Sequence, residues 1–384
     1  MSKKRIAIIT SVPFTIKVFL VEQIKALSEI YEVTVLTSDV KFEGEESLES
    51  IFNGAINIIT IPIVRQISIT DDLKTAFKLF LLFREHRFDV IHSVTPKAGL
   101  LAMSAGFMAR VKKRIHTFTG QVWATKTPPF RWFLMLLDIF TAKLATNILV
   151  DSKSQRDFIV ANKIVSYEKS KVLANGSISG VNTTRFSPNE SIRKKIREDI
   201  KVNDSTILIL YLGRLHEDKG VYDLLDAYKT IVRKHKDVLL LFVGPDDSGI
   251  IDIIKNFDDS IADKIEFISY TKTPEDYMRA ADIFCLPSYR EGFGSVVIEA
   301  ASCGVPSVVS RIYGLTDAVV NDETGLIVDV GDGTSLSIAL LSLIEDSSLR
   351  TRFSKNAISR AKSLFDSEIL TCELLNYYEY ELND

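Results

Sequence analysis

The chain has 384 residues, of which 46% are hydrophobic and 25% are charged, and its formal net charge is −3. This length exceeds that of a typical single domain, and the composition is that of a globular protein rather than a disordered or fibrous one. The three cysteines show no metal-ligand spacing, so we predict neither a disulfide framework nor a zinc site, and we expect a reducing compartment.

Charge is unevenly distributed along the chain. Residues 1–180 carry 24 Lys and Arg against 16 Asp and Glu, whereas residues 181–384 carry 23 against 34. This asymmetry predicts two bodies with different partners. No run approaches the roughly 18–20 apolar residues that a membrane-spanning helix needs. We therefore expect a cytoplasmic protein that is soluble or attached to a membrane surface.

Short apolar runs alternate with segments of helical periodicity in the first half of the chain. The predicted strands are Arg5–Thr10, Val33–Thr37, Ile56–Ile61, Val90–His92, Arg114–Thr117 and Ile148–Val150. The predicted helices between them include Val18–Glu29, Leu73–Glu85, Ala98–Ala109 and Phe130–Ala145. Because most of these strands are continuous apolar runs, they indicate a parallel sheet covered on both faces.

A polar stretch near Gly176 to Asp204 precedes a second series of the same kind. Its predicted strands are Ile207–Leu212, Val238–Val243, Ile265–Ile268, Ile283–Pro287, Pro306–Val309 and Gly325–Val328. We predict an α/β protein with two Rossmann-like, doubly wound domains facing across a cleft, at residues 1–185 and 186–365. Residues 366–384 are predicted as a helix that returns to the first domain.

The segment from Tyr289 to Ala300 reads Tyr-Arg-Glu-Gly-Phe-Gly-Ser-Val-Val-Ile-Glu-Ala and follows a predicted strand. Glu291 therefore lies in a loop at the carboxyl end of the sheet, and its two neighbouring glycines permit a close backbone approach to a ligand. A helix from Ser295 would direct its first amides towards an anion, with Glu299 about one turn along it. An ordinary acidic helix start is the structural alternative.

The segment from Tyr211 to Gly220 also begins where a predicted strand ends. Gly213 ends the strand, and Arg214 and Lys219 place two cations on one loop. Arginine offers a planar fork and lysine a compact charge, so together they can neutralise a diphosphate. An ordinary solvated turn is the alternative for this loop alone, but two such loops at one sheet edge favour a binding site.

Together these segments resemble the retaining family-4 glycosyltransferases of the two-domain GT-B fold. The spacing of Glu291 and Glu299 resembles that family's paired-glutamate motif. The resemblance covers the second domain and is looser in the first. The matching segments, in family order, are Gly213-Arg214, Lys219-Gly220, Leu286-Pro287-Ser288, Glu291-Gly292-Phe293-Gly294, Glu299-Ala300, Cys303-Gly304-Val305-Pro306 and Thr324-Gly325-Leu326.

The resemblance implies a role for each matching residue. Arg214 and Lys219 would bind the donor diphosphate and stabilise it as it leaves. Glu299 would hold the ribose hydroxyls, and Glu291 would contact the transferred sugar near its reacting face. His116, within His-Thr-Phe-Thr-Gly, resembles the family's cleft histidine and would hydrogen-bond the donor sugar through its side chain or the adjacent backbone. The donor-binding set also includes Gly213 and the backbone amides of Phe293, Gly294 and Ser295.

The loop after the first predicted strand departs from the family pattern. It reads Thr10-Ser11-Val12-Pro13-Phe14-Thr15, without the glycine pair that many members carry, and its proline has no amide hydrogen. We expect this loop to shape an acceptor pocket rather than to bind phosphate. The predicted acceptor side comprises Pro13, Phe14, Thr95, Lys97 and Gly120.

We predict that the enzyme needs neither a metal nor a cofactor beyond its nucleotide-sugar co-substrate. The close acidic pairs include Glu379-Tyr380-Glu381 and Glu43-Gly44-Glu45, and neither of these two follows a strand. Arg214 and Lys219 would instead supply the positive charge that the departing diphosphate requires. Retention of anomeric configuration is implied by the family.

A basic and aromatic segment indicates an anionic membrane surface as a further partner. Between Ile91 and Leu137 there are seven Lys and Arg and no Asp or Glu: Lys97, Arg110, Lys112, Lys113, Arg114, Lys126 and Arg131. Trp123, Phe130, Trp132 and Phe133 lie among them, as suits a lipid headgroup region. The alternative is a set of core aromatics beside an ordinary solvated face. No nucleic-acid-binding motif accompanies the segment, so we expect no nucleic-acid partner.

The sequence thus predicts a glycosyltransferase that moves a sugar from a nucleotide sugar, UDP-N-acetylhexosamine or UDP-hexose, to a glycan acceptor. The expected acceptor is linked to polyprenyl diphosphate, in capsule, O-antigen or exopolysaccharide synthesis. Two alternatives stay open: a sugar-nucleotide 2-epimerase of the same fold, and a non-catalytic nucleotide-sugar-binding protein. The intact charges at Arg214, Lys219, Glu291 and Glu299 argue against the second.

Overall fold

The computed structural model describes residues 3–40, 46–64 and 68–383. The predicted acidic pair at Glu43 and Glu45 lies outside these residues. The chain forms two compact units, one of Met1–Ser179 together with Ser367–Asp384 and one of Gly180–Asp366. The expected boundary between residues 185 and 186 thus falls inside the second unit, and the last helix belongs to the first.

Thirteen strands within the described residues form two sheets in which every pairing is parallel. The strands are β1 Arg5–Ile9, β2 Glu32–Thr37, β3 Asn57–Thr60, β4 Val90–Val94, β5 Lys113–Phe118, β6 Asn147–Val150, β7 Ser170–Lys171, β8 Ile207–Leu212, β9 Val238–Val243, β10 Ile265–Ile268, β11 Ile283–Leu286, β12 Ser307–Ser310 and β13 Gly325–Val328. The sequence did not predict β7, a two-residue strand without an apolar run.

Helices connect nearly all of these strands. They are α1 Pro13–Thr15, α2 Val21–Ile30, α3 Leu48–Phe52, α4 Ile69–His86, α5 Pro96–Met108, α6 Phe130–Leu144, α7 Lys153–Ala161, α8 Glu190–Asp199, α9 Val221–Lys234, α10 Ile250–Ile254, α11 Asp259–Ala262, α12 Pro274–Ala280, α13 Ser295–Ser302, α14 Leu315–Ala318, α15 Gly333–Glu345, α16 Ser347–Leu364 and α17 Ser367–Asn383. A π-helical turn, Ile16–Leu20, joins α1 to α2. No helix within the described ranges is both long enough and apolar enough to cross a bilayer.

The first unit has the sheet order β3-β2-β1-β4-β5-β6-β7. Buried residues of α4, α5, α6 and α7 form the core on one face of this sheet. Residues of α2, α3 and α17 form the core on the other face. Hydrophobic burial on both faces explains why the strand sequences are continuously apolar rather than alternating.

Helix α17 is joined to the first sheet by polar contacts as well as by its apolar side chains. The Tyr378 hydroxyl lies 2.7 Å from Nδ1 of the buried His92. Glu381 accepts hydrogen bonds from Lys113 at 3.1 Å and from Asn147 at 2.8 Å. The end of the chain therefore completes the unit that the beginning of the chain starts.

The second unit has the sheet order β10-β9-β8-β11-β12-β13. In both sheets the order reverses next to the first strand of the unit, which places a topological switch point between β1 and β4 and another between β8 and β11. In doubly wound sheets, ligands bind at the carboxyl ends of the strands at such a point. Both sheets therefore confirm the predicted α/β class, and the two charged loops of the sequence follow β8 and β11.

Candidate functional site

The loop that follows β8 is held against the end of β9 by close backbone packing. A Cβ atom on Gly244 would lie 2.0 Å from the carbonyl oxygen of Gly213, so this contact requires a glycine. The Tyr211 hydroxyl donates to the carbonyl of Arg214 at 2.7 Å. These contacts fix the backbone that carries Arg214 at the carboxyl edge of the sheet.

Arg214 forms an ion pair that the sequence analysis did not identify. One guanidinium nitrogen lies 2.9 Å from Oδ2 of Asp247, in the loop after β9, and both side chains are about two-fifths exposed. An exposed ion pair of this kind is worth only about 0–1 kcal/mol. An anionic ligand can therefore replace Asp247 as the partner of Arg214 at little cost.

The turn that carries Lys219 is positioned by a second glycine contact. Gly220 has φ 69° and ends the 3₁₀ turn Glu217–Lys219 at the start of α9. A Cβ atom on Gly220 would lie 1.9 Å from the carbonyl oxygen of Pro287, after β11. The loops of the two switch-point strands consequently touch, which brings Lys219 beside the loop of Glu291.

Lys219 and Glu291 form the central ion pair of the site. The Lys219 Nζ atom lies 2.5 Å from Oε1 of Glu291, and both side chains are mostly buried. Ser288 donates to the same carboxylate oxygen at 2.9 Å. The loops are also joined through Asp218, whose carbonyl accepts from the Tyr289 amide at 2.9 Å. Two segments separated by some seventy residues thus form one charged surface.

The start of α13 supplies backbone rather than side chains to this surface. Gly294 has φ 82° and offers no capping side chain to the first amides of α13. A Cβ atom on Gly314 would lie 2.5 Å from the carbonyl of Gly292, so the 292–294 turn is closely packed. The Phe293 ring is buried against Phe365, at 5.2 Å between ring centroids. Only the backbone of Phe293 is left to contact a ligand.

Glu299 is partly buried on α13 within a small charged group. Burial raises the pKa of Glu299 to about 7; Arg185 opposes this shift and Glu275 adds to it. Arg185 itself donates to Glu275 at 2.8 Å. This arginine precedes β8 and has no motif around it, so its position beside Glu299 could not be predicted from the sequence.

The predicted acceptor-side residues lie mostly at the carboxyl edge of the first sheet. Pro13 is buried at the start of α1, whereas Phe14 is exposed. Thr95 has φ 83°, a strained value for a β-branched residue, and its hydroxyl lies 2.7 Å from that of Ser11. Gly120 is buried after β5 with φ 108°. Lys97 forms an ion pair with Asp72 at 2.7 Å.

The expectation that the His116 side chain hydrogen-bonds the donor sugar is not supported. Strand β5 continues to Phe118, so His116 lies inside the strand rather than at its end. Its ring is fully buried, and a Cβ atom on Gly99 of α5 would lie 2.3 Å from it. Ser93 hydrogen-bonds its Nδ1 at 2.9 Å, and burial lowers the pKa of His116 to about 3. The ring is thus neutral and enclosed, with its Nε2 atom unpartnered, and a contact of the adjacent backbone with the donor sugar stays a prediction.

The basic segment of residues 97–131 is less exposed than its sequence suggests. Lys113 pairs with Glu381, and Arg114 donates to the carbonyls of Val111 and Leu144. Trp123 is buried and donates to Asp138 at 2.8 Å. Three of the seven cations, counting Lys97, and one of the aromatics are thus engaged inside the first unit.

No group of three or more His, Cys, Asp or Glu that could hold a metal ion occurs in residues 3–40, 46–64 and 68–383. The acidic pair of Glu379 and Glu381 lies on α17, where Glu381 binds Lys113. Metal independence stays a prediction that rests on the charges of Arg214 and Lys219.

Comparison with known proteins identifies the family. Residues 192–360 match the family model described as Glycosyl transferases group 1, and residues 16–177 match Glycosyltransferase Family 4. The capsular polysaccharide biosynthesis glycosyltransferase CapM of Staphylococcus aureus is 32% identical over 84% of this chain and 85% of its own length. An Escherichia coli UDP-Gal:alpha-D-GlcNAc-diphosphoundecaprenol alpha-1,3-galactosyltransferase is 25% identical over 85% of both chains.

A solved structure shares the fold over nearly the whole length. HepE from Anabaena, crystallised with UDP-glucose, has a TM-score of 0.78 at 19% identity, covering 98% of this chain and 99% of HepE. This likeness extends over both units and agrees with the two parallel sheets. The chain therefore belongs to glycosyltransferase family 4 and has the GT-B fold, as its motifs predict.

Proposed function

We propose that this chain transfers a hexosyl or N-acetylhexosaminyl group, with retention, from a UDP-sugar to a glycan on polyprenyl diphosphate. The reaction would serve bacterial surface polysaccharide synthesis at the inner face of the plasma membrane. The observation that carries the proposal is the 2.5 Å contact between Lys219 and Glu291, which joins a cation and a carboxylate across the switch point of the second sheet. A nucleotide sugar needs both kinds of group, since its diphosphate is anionic and its sugar presents hydroxyls.

Arg214 and Lys219 are the proposed counter-charges of the donor diphosphate. An ammonium has three N–H donors, and Glu291 takes one of those of Lys219. The Arg214 guanidinium can exchange Asp247 for phosphate oxygens and bind them in a bidentate manner. Negative charge grows on the diphosphate as the glycosidic bond breaks, so both cations bind the transition state more strongly than the ground state.

Glu291 and Glu299 are the proposed hydroxyl acceptors of the donor. Glu291 is oriented by Lys219 and Ser288 at one oxygen, which leaves its other oxygen to receive a sugar hydroxyl. Glu299 lies about one turn into α13 and would accept from the ribose hydroxyls in its ionised form. The amides of Gly294 and Ser295, at the start of α13, would contact the sugar and phosphate.

The proposed chemical step occurs on one face of the sugar. The bond from the anomeric carbon to the diphosphate oxygen breaks, and a bond to the acceptor oxygen forms on the same face. The acceptor proton moves to an oxygen of the departing diphosphate, so no protein base is needed. The role of the protein is to hold the donor and to stabilise the leaving group.

The donor and acceptor classes are supported by the relatives. The Escherichia coli relative is named for UDP-Gal and for a GlcNAc-diphosphoundecaprenol acceptor, and HepE was crystallised with UDP-glucose. In the first unit, the neutral hydroxyls of Ser11 and Thr95 lie at the switch point, and Phe14 is exposed beside them in sequence. These residues and the Gly120 backbone suit the hydroxyls and rings of a sugar acceptor.

The test is a turnover panel of UDP-, GDP- and ADP-sugars with a lipid-diphosphate acceptor, carried out with and without EDTA. We expect UDP release that depends on acceptor, an α-linked product from an α-linked donor, and no loss of rate in EDTA. Loss of activity in EDTA that magnesium or manganese restores would contradict metal independence. Release of UDP without acceptor, accompanied by a 2-epimeric sugar, would indicate an epimerase, and donor binding without turnover would indicate a non-catalytic protein.

A further inference from the structure

Helix α6 is strongly apolar but hardly buried. Eleven of its fifteen residues are apolar, yet only Thr141 and Ala142 are buried. The side away from the core carries Trp132, Phe133, Leu136 and Phe140, of which Trp132 and Leu136 are 64% and 62% exposed. A surface helix normally presents polar residues on this side. The outer face of α6 is therefore built for contact with something other than water.

Helix α4 carries a second exposed apolar row. Ile69, Leu73, Phe77 and Leu81 recur every fourth residue, so they lie along one side of the helix. They are 75%, 67%, 59% and 49% exposed. The core side of α4 is formed by other residues, Thr75, Leu79 and Phe83. The apolar row is thus additional to the residues that the fold requires.

These two rows belong to one side of the first unit. Helix α5 packs against both α4 and α6, and buried residues of all three helices form one core on the same face of the sheet. The end of α5 adds the exposed Phe107 and Met108. We call the set the apolar face: Ile69, Leu73, Phe77, Leu81, Phe107, Met108, Trp132, Phe133, Leu136 and Phe140. Monomers rarely expose apolar surface on this scale without an interaction partner.

The charges around the apolar face are predominantly positive. Residues 68–144 contain twelve Lys and Arg and five Asp and Glu. Two of these acids are engaged internally, Asp72 with Lys97 and Asp138 with Trp123. The exposed cations of α4, α6 and the α5–β5 turn are Lys74, Lys78, Arg84, Arg110, Lys112 and Lys143. An apolar surface bordered by cations matches the acyl boundary and the headgroups of an anionic bilayer.

We propose that the apolar face docks on an anionic lipid bilayer, with α4 and α6 lying in the headgroup–acyl boundary. The proposal rests on the proposed function, because it names the surface by which an enzyme with a lipid-linked acceptor reaches that acceptor. It also narrows the membrane contact expected at residues 97–131 to Phe107, Met108, Arg110 and Lys112, since Lys97, Lys113, Arg114 and Trp123 are engaged inside the unit.

A second copy of the chain fits this face less well than lipid. A symmetric dimer would place the same surface on both sides of the interface, so the bordering cations would face one another. Like charges opposed across an interface disfavour association. Anionic headgroups instead bring the opposite charge to the same border.

The proposal is tested by sedimentation of the full chain with vesicles of phosphatidylcholine, with and without phosphatidylglycerol. In the apolar variant, Leu73→Ser, Phe77→Ser, Leu136→Ser and Phe140→Ser are combined. We expect its vesicle partitioning to fall at least about tenfold, because four buried apolar contacts with the acyl region are lost. In the charge variant, Lys74→Gln, Lys78→Gln, Lys112→Gln and Lys143→Gln are combined, and it should lose its preference for phosphatidylglycerol.

The matched control removes exposed apolar residues of the second unit, through Ile253→Ser, Tyr270→Ser and Ile338→Ser, and should partition like the parent chain. Thermal unfolding verifies that each variant folds. Equal partitioning of the apolar variant and the parent, or no binding of the parent, would overturn the proposal. A dimer in sedimentation velocity that the apolar variant dissociates would assign the face to a second copy instead.

Failure of this proposal and failure of the proposed function are distinguishable. The apolar variant should turn over a water-soluble acceptor analogue with UDP-sugar at the parent rate, because its changes lie outside the proposed donor and acceptor residues. If the parent binds vesicles but turns over no nucleotide sugar, the proposed function is wrong and the role of the apolar face is retained. If turnover is normal and vesicle binding is absent, the proposed function is retained and the role of the apolar face is wrong.

Discussion

The two sheets carry the same topological switch but very different side chains at it. In the first unit the loops after β1 and β4 meet through two neutral hydroxyls, those of Ser11 and Thr95 at 2.7 Å. In the second unit the loops after β8 and β11 meet through an ion pair, Lys219 and Glu291 at 2.5 Å. The fold thus brings two loops together at each switch point, and the side chains determine whether that meeting point is neutral or charged.

The backbones at the two switch points also differ. The second unit achieves its close loop contact with glycine, since Gly220 leaves no room for a Cβ beside Pro287. The first unit places Thr95, a β-branched residue, at φ 83° at the start of α5. Such a conformation costs on the order of 1–3 kcal/mol and is found mainly at functional sites. Both switch points therefore contain a residue with positive φ. Only in the first unit does that residue carry a side chain, Thr95, whose steric strain the fold must offset.

The largest effect is expected from removing the cation of the charged switch point. Lys219→Ala should lower kcat by roughly 100- to 1,000-fold, because one donor to the developing diphosphate charge is lost. The measurement is steady-state UDP release with acceptor present. Lys113→Ala is the matched control, since Lys113 also forms a partly buried ion pair, with Glu381 at 3.1 Å, but lies in the first unit away from its switch point.

The control variant should lose stability rather than turnover, which thermal unfolding would report. Similar kcat losses in both variants would show that a general weakening of the protein, and not the diphosphate charge, explains the effect. Near-normal turnover of Lys219→Ala would remove the distinction between the charged and the neutral switch point.

An effect of intermediate size is expected from pH, which should change UDP affinity through the second unit and stability through the first. The pKa of Glu299 is about 7 because of burial, so its ionised fraction rises about tenfold between pH 6 and pH 8. If the ionised carboxylate accepts the ribose hydroxyls, affinity for UDP should rise about tenfold over that range, and Glu299→Gln should abolish the dependence. Isothermal titration at several pH values measures both.

The matched carboxyl group of the first unit is Asp151, after β6, where burial raises the pKa to about 8. A raised carboxyl pKa means that the folded state holds the proton more tightly, so its contribution to stability is present at low pH and is lost as pH rises towards 8. The loss begins near the ordinary carboxyl pKa of 3.8, so Asp151→Asn should increase the Tm relative to the parent by more at pH 9 than at pH 5, with UDP affinity unchanged. A UDP affinity that follows Asp151 instead of Glu299 would contradict the donor assignment.

The smallest effect is expected at the exposed partner of Arg214. Asp247→Asn removes the acceptor of an ion pair whose side chains are about two-fifths exposed, so UDP should bind slightly more tightly, by less than about threefold. Competition binding with a fluorescent nucleotide resolves a change of this size. Weaker binding would show that Asp247 orients Arg214 for the ligand, and a tenfold gain would show that the pair blocks the site.

The local features of the fold could be predicted from the sequence, whereas its long-range polar contacts could not. Apolar runs determined β8, β9, β10 and β13 to the residue, because burial on both faces leaves a continuous signal in the chain. The motif loops also predicted that Lys219 and Glu291 lie at one sheet edge. Family membership and the GT-B fold were predicted from these loops and confirmed by comparison.

The pairing of Arg214 with Asp247 and the placement of Arg185 beside Glu299 were missed, since ion pairs between distant segments have no periodic signature. The position of Asp247 just after β9 was the only available signal. The burial of the His116 ring was missed for a related reason. A histidine two residues before the end of a strand looks accessible in sequence. Its ring is nevertheless buried, because Gly99 on the neighbouring helix has no side chain and the ring occupies the space beside it.

The closing helix has a consequence for how this protein is made. Its buried Leu370, Leu374, Tyr377 and Tyr378 complete one core of the first unit, although that unit's other residues end at Ser179. Since domains ordinarily fold from the N-terminus during synthesis, the first sheet leaves the ribosome with part of one face uncovered. It must wait through translation of the whole inserted second unit before its last helix arrives. A transcript truncated after Asp366 would encode every proposed donor-binding residue and still yield an unfinished first domain.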